Sequence, residues 1–91
     1  MNALDRKQLE KAIEELQRAR DIIADQKELI EQKRDEEQEK FDNLSEGLQQ
    51  SDRGSRIEEA VGYLDDAMNC IETAEQECDS CIDYLQSAID A

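Results

Sequence analysis

From Ile57 to Ile89 the chain places Ile57, Val61, Leu64, Met68, Ile71, Glu75, Cys78, Ile82, Leu85 and Ile89 alternately four and three residues apart. That spacing puts every one of these side chains on a single stripe of an α-helix, the a and d positions of a heptad seam. Only Glu75 interrupts it. Ala60, Ala67, Ala74, Cys81 and Ala88 recur every seven residues on one flank of the seam, at g positions, so a neighbouring helix can approach closely. Glu58, Asp65, Glu72 and Asp79 recur every seven on the other flank. A stripe this regular demands a partner helix, and the rest of the chain offers one.

The first run continues the pattern with a weaker seam. Leu9, Ile13, Leu16, Ile23, Ile30, Phe41 and Leu44 fall in register, whereas Arg20, Lys27, Arg34 and Glu37 interrupt it. Residues 31–40, EQKRDEEQEK, contain no hydrophobic residue, which predicts a helix solvated on nearly every face there. Ala12 and Ala19 repeat the small flank. The fold class expected is therefore all-α, a single domain over 1–91 built as a long antiparallel, coiled-coil-like helical hairpin. The first helix is expected over about 4–41, a connector over about 42–55 and a second helix over about 56–90. Setting positions whose numbers sum to about 98 opposite one another brings Leu9 to Ile89, Ile13 to Leu85, Leu16 to Ile82 and Phe41 to Ile57. In that register the basic a positions of the first helix are expected to meet Glu75.

The connector carries helix punctuation. Ser55-Arg56-Ile57-Glu58 reads as a capping box, in which the Ser hydroxyl accepts from a free backbone N–H and Glu58 reaches back to the cap. Ser51, ahead of Asp52, is a rival start that would leave Gly54 inside the first turns. Asn43-Leu44-Ser45-Glu46 reads as a weaker start for a short turn ending at Gly47. Phe41, Leu44 and Leu48 form an apolar group expected to seal the hairpin end.

Charge is the other strong signal. The 91 residues carry 25 acids, 11 bases and no histidine, for a net charge of −14. After Arg56 there are ten acids and no Lys or Arg, so residues 1–56 contribute −4 and the remainder −10. Direct binding of nucleic acid or an anionic membrane is not expected, because phosphate needs the opposite sign. With no histidine, tryptophan or proline, the chain lacks the usual general base and the commonest metal ligand, so neither an enzyme nor a cofactor or metal site is expected. No signal peptide or run of about 20 apolar residues stands in the sequence, and a cytoplasmic location is expected.

The remaining motifs favour packing over chemistry. Cys78-Asp79-Ser80-Cys81 has C-x-x-C spacing, but no second pair or histidine accompanies it and it lies inside a helix. Cys70 is three turns from Cys81, about 16 Å along the axis, and cannot join it within one helix. DNLSEG, residues 42–47, has Leu44 and Arg53 where a calcium loop needs carboxylates. EKFDNLSEGLQQSDRG, residues 39–54, resembles a segment of small acidic helical proteins from bacterial prophages and other mobile elements, with Ser45 in place of their proline. The resemblance covers about residues 39–74 and implies a genomic context without a mechanism.

The expected function follows from the acidic flank. Glu58, Asp65, Asp66, Glu72 and Asp79 are candidate contacts to a basic protein surface, with the chain blocking a nucleic-acid-handling protein as anti-CRISPR inhibitors do by mimicking nucleic-acid charge. The alternative is a structural or assembly adaptor that works through the seam Ile57, Val61, Leu64, Met68, Ile71, Ile82 and Leu85. Two helices leave that seam without a second layer, so a homodimer forming a four-helix bundle is expected.

Overall fold

A computed structural model describes all residues, 1–91. Helix α1 spans Ala3–Asp42, a single-turn α2 spans Glu46–Gln49, and α3 spans Asp52–Asp90. The two long helices lie side by side as a hairpin 68 × 15 × 14 Å in extent. Three ion pairs tie them together, Arg20 to Asp79, Lys27 to Glu72 and Arg34 to Asp65, and in each the residue numbers add to 99. The register is antiparallel and within one residue of that expected from the seam.

Each helix begins where a side chain can satisfy its free N–H groups. At the start of α1, Asn2 Oδ1 accepts from Asp5 N at 2.8 Å. Ser45 Oγ accepts from Leu48 N at 3.4 Å and opens α2, so Asn43 is the C-terminal cap of α1 and not the start of the next turn. Gly47 lies inside α2, and no residue has a positive φ, so neither α1 nor α2 ends on a left-handed glycine.

The second long helix starts four residues earlier than 56. Ser51 is its cap, accepting from Gly54 N at 3.4 Å while its own hydroxyl donates to Leu48 O. Ser55 is already helical, its N–H bonded to Ser51 O at 3.0 Å, so the Ser55–Glu58 box goes unused. Gly54 is the physical reason. A Cβ there would sit 2.6 Å from both Leu48 O and the Gln49 carbonyl carbon and overlap Gln49 O. The absence of a side chain lets α3 begin directly against α2, which folds much of the expected connector into helix.

The core is thin. Ile13 and Val61, each 8% exposed, are the only buried side chains, and the other seam residues are half-buried. Phe41 and Leu44 are half-buried at the hairpin end, where Gln49 Nε2 donates to Phe41 O at 3.1 Å, but Leu48 stays outside that seal. Within residues 31–40 only Arg34, Glu37 and Gln38 are half-buried. No helix is long and apolar enough to cross a membrane.

Candidate functional site

The acidic flank of α3 is the first candidate, and its residues divide into two groups. Arg34 Nε donates to Asp65 Oδ1 at 2.8 Å, Lys27 Nζ lies 3.4 Å from Glu72 Oε1, and Arg20 Nε lies 2.6 Å from Asp79 Oδ1. Arg20, Lys27 and Arg34 occupy core-type positions on α1. Such long side chains keep their stems along the seam and carry their charges to its edge, where the acidic flank lies. The bases expected at Glu75 therefore reach Asp79, Glu72 and Asp65, and half-buried Glu75 has no ion-pair partner. Hydrogen bonding to Asp65 and its charge hold Arg34 above the ordinary guanidinium pKa.

Glu58 and Asp66 remain exposed and outside any ion pair. Of the ten acids after Arg56, seven have no cation within ion-pairing distance. Spread along about 50 Å of helix, they give about one free charge per 7 Å, against one per ~1.7 Å on duplex DNA.

The seam is the second candidate. Val61 is buried, while Ile57, Leu64, Met68, Ile71, Ile82 and Leu85 are half-buried. Cys78 belongs to this layer. Its thiol is half-buried and donates to Leu16 O of α1 at 3.3 Å, a contact that marks close approach of the helices. Cys70 and Cys81 are exposed, and no group of three or more Cys, Asp or Glu is placed to hold a metal ion.

Two features escaped sequence reasoning. Lys40, Arg53 and Arg56 line a shallow depression at the hairpin end with Glu37, Asp52 and Ile57. Lys40 is engaged by Glu37 at 2.7 Å, a hydrogen bond that raises its pKa, whereas Arg53 and Arg56 have no carboxylate partner. The signal was present in the placement of both arginines at the mouth of the connector. The second feature is a set of exposed apolar side chains off the seam: Ile22 at 61%, Leu29 at 46%, Tyr63 at 66% and Tyr84 at 77%. Their signal was the spacing, seven residues between Ile22 and Leu29 and three heptads between Tyr63 and Tyr84.

Comparison with protein-family models, with curated proteins and with solved structures gave no match.

Proposed function

We propose that this chain is a non-enzymatic helical assembly module that acts by docking helices, first of all those of a second copy of itself, into a four-helix bundle. The observation that carries this reading is the incomplete cover of the seam: two long amphipathic helices face each other, yet only Ile13 and Val61 are buried. The accessible surface is 6703 Å², against about 5,400 Å² for a compact monomer of this mass. The excess, about 1,300 Å², comes from the rod shape and exceeds the ~800 Å² that each partner contributes to a standard interface. A homodimer covers such an excess with one face-to-face contact. Light scattering over a concentration series from nanomolar to high micromolar tests it; a well-folded monomer throughout overturns the reading.

A second reading is favoured by the seven unpaired acids of α3 and the absence of any base after Arg56. In it the chain, phage-like in origin, blocks a basic surface of a nucleic-acid-handling protein as an anti-CRISPR or other anti-defence inhibitor does. Glu58 and Asp66 are its available contacts. Asp65, Glu72 and Asp79 would have to leave their α1 partners first, which places this reading second. Salt separates the two, because a charge-led complex weakens steeply as salt rises and a seam-led one does not.

A further inference from the structure

The three interhelical ion pairs draw α1 over one flank of α3, the flank of Asp65, Glu72 and Asp79. The opposite flank is left open from Ala74 onward. Along it run the small residues Ala60, Ala67, Ala74, Cys81 and Ala88, of which the last three are exposed, bordered by Tyr63, Cys70, Glu77 and Tyr84. In a chain with 40% charged residues, a single charge, Glu77, stands on this strip from residue 60 to 88, about 42 Å of helix. A solvated face of a strongly acidic helix has no reason to lose its charge, and exposed tyrosines beside small residues are the makings of a helix–helix contact.

The strip is also self-complementary. Reversed about Ala74, it sets Ala60 opposite Ala88, Ala67 opposite Cys81 and Ala74 opposite itself, so a small residue meets a small residue at each crossing. The same reversal keeps equivalent flanks on one side of the contact, so Tyr63 comes beside Tyr84 of the second copy on one side and Leu64, a seam residue that α1 leaves half-buried, beside its half-buried Leu85 on the other. No acid is set against an acid, since Glu77 falls beside Cys70. In the observed register Ile22 and Leu29 of α1 lie level with residues 77 and 70. They emerge on the same side of the hairpin, because equivalent flanks of two antiparallel helices share a side. The exposed apolar groups of both helices thus lie on one face, spread over about 32 Å with Ala74 near the middle.

We propose that this open flank of α3, centred on Ala74, is the surface on which a second copy of the chain docks antiparallel about a two-fold axis. This deepens the assembly reading and rests on it. The dimer face is then distinct from the inward side of the seam, which the hairpin already uses. The excess surface of each chain is large enough to supply the area the contact needs. A net charge of −14 on each copy opposes association, so the dimer tightens as salt rises.

The test starts from a cysteine-free chain (Cys70→Ser, Cys78→Ala, Cys81→Ala) carrying Ala74→Cys or, on another flank, Asn69→Cys. A residue on the two-fold is its own neighbour, so with diamide as the two-electron oxidant Ala74→Cys is expected to link two chains through a disulfide and Asn69→Cys is not. Ala74→Arg is expected to weaken dimerisation at least tenfold by sedimentation with helicity retained. Raising NaCl from about 50 to 500 mM is expected to strengthen the dimer of the unsubstituted chain. A dimer that persists with Ala74→Arg, with no crosslink at position 74, overturns this face and leaves the assembly reading standing. An unsubstituted chain that stays monomeric overturns both. Should Ala74→Arg lose helicity, the crosslink alone decides.

Discussion

Arg34 and Asp65, 31 residues apart in the chain, meet at 2.8 Å across the hairpin as the innermost rung of a ladder whose other rungs are Lys27 to Glu72 and Arg20 to Asp79. The rungs recur every seven residues, so the ladder sets which flank of α3 meets α1 and, together with the short connector, which residues lie level. All three cations lie on α1 and all three anions on α3. A slip of one heptad one way sets Arg20 opposite Gln86 and leaves two rungs, a slip the other way keeps three by bringing Arg34 to Glu58, and two like helices set together bring like charges together. The ladder thus serves specificity more than stability, as exposed ion pairs generally do.

Inverting α1 alone, with Arg20→Glu, Lys27→Glu and Arg34→Glu, is expected to lower the denaturation midpoint, more at low salt than at high. Adding Asp79→Lys, Glu72→Lys and Asp65→Lys is expected to restore most of it. Circular dichroism melts of the three chains at two salt concentrations check this. If the sixfold swap gives no recovery, the ladder does not set the register.

Gly54→Ala is expected to destabilise the hairpin by about 1–3 kcal/mol, the range for forcing atoms into filled space. The methyl would meet Leu48 O and the Gln49 carbonyl, which are backbone atoms that cannot swing aside. Gly47→Ala is the control, since nothing lies within 4 Å of a Cβ there and the residue is helical. That variant is expected to be neutral or slightly stabilising. Urea titrations of both separate a steric effect from a propensity effect.

Ile13→Ala and Val61→Ala remove the only two buried side chains. A loss of about 2 kcal/mol for Ile13→Ala, the low end for such truncations, is a large fraction of what so thin a core supplies. Leu48→Ala, at a side chain 47% exposed, is expected to change stability by less than about 0.5 kcal/mol. Denaturant midpoints rank the three. Equal effects at positions 13 and 48 would contradict the burial pattern.

Alkaline stability follows from Arg34 and Lys40, whose pKa values are raised by hydrogen bonds to Asp65 and Glu37. A group that titrates higher folded than unfolded adds stability that is complete below its unfolded pKa and lost as pH rises through the folded one. The contribution of Lys40 is therefore constant through neutral pH and declines above its ordinary value of 10.5, and that of Arg34 declines only at higher pH still. Melts between pH 7 and 11 check the Lys40 part. The decline near the top of that range is expected to be smaller with Glu37→Gln.

How much of this was legible in the sequence depends on how local the cause is. The seam from Ile57 to Ile89 specifies helix by periodicity alone, and the same spacing in the first run sets an antiparallel register to within one residue. The first is a property of neighbours three and four apart on one helix, and the second adds only the short connector, which limits how far one seam can slide along the other. The start of α3 is different. Ser51 and Ser55 are both competent caps by type and spacing, and the choice falls to Ser51 because Gly54 allows the backbone of Gln49 to pass where a Cβ would stand. The acidic flank shows the same division. Its repeat at Glu58, Asp65, Glu72 and Asp79 is plain in the sequence. That three of those four face Arg20, Lys27 and Arg34, and Glu75 none of them, depends on which side of the seam the long cationic side chains leave by, and only two helices in contact settle that. Periodicity says that a stripe exists; the relative rotation of the paired helices decides which flank is closed and which, around Ala74, is left open.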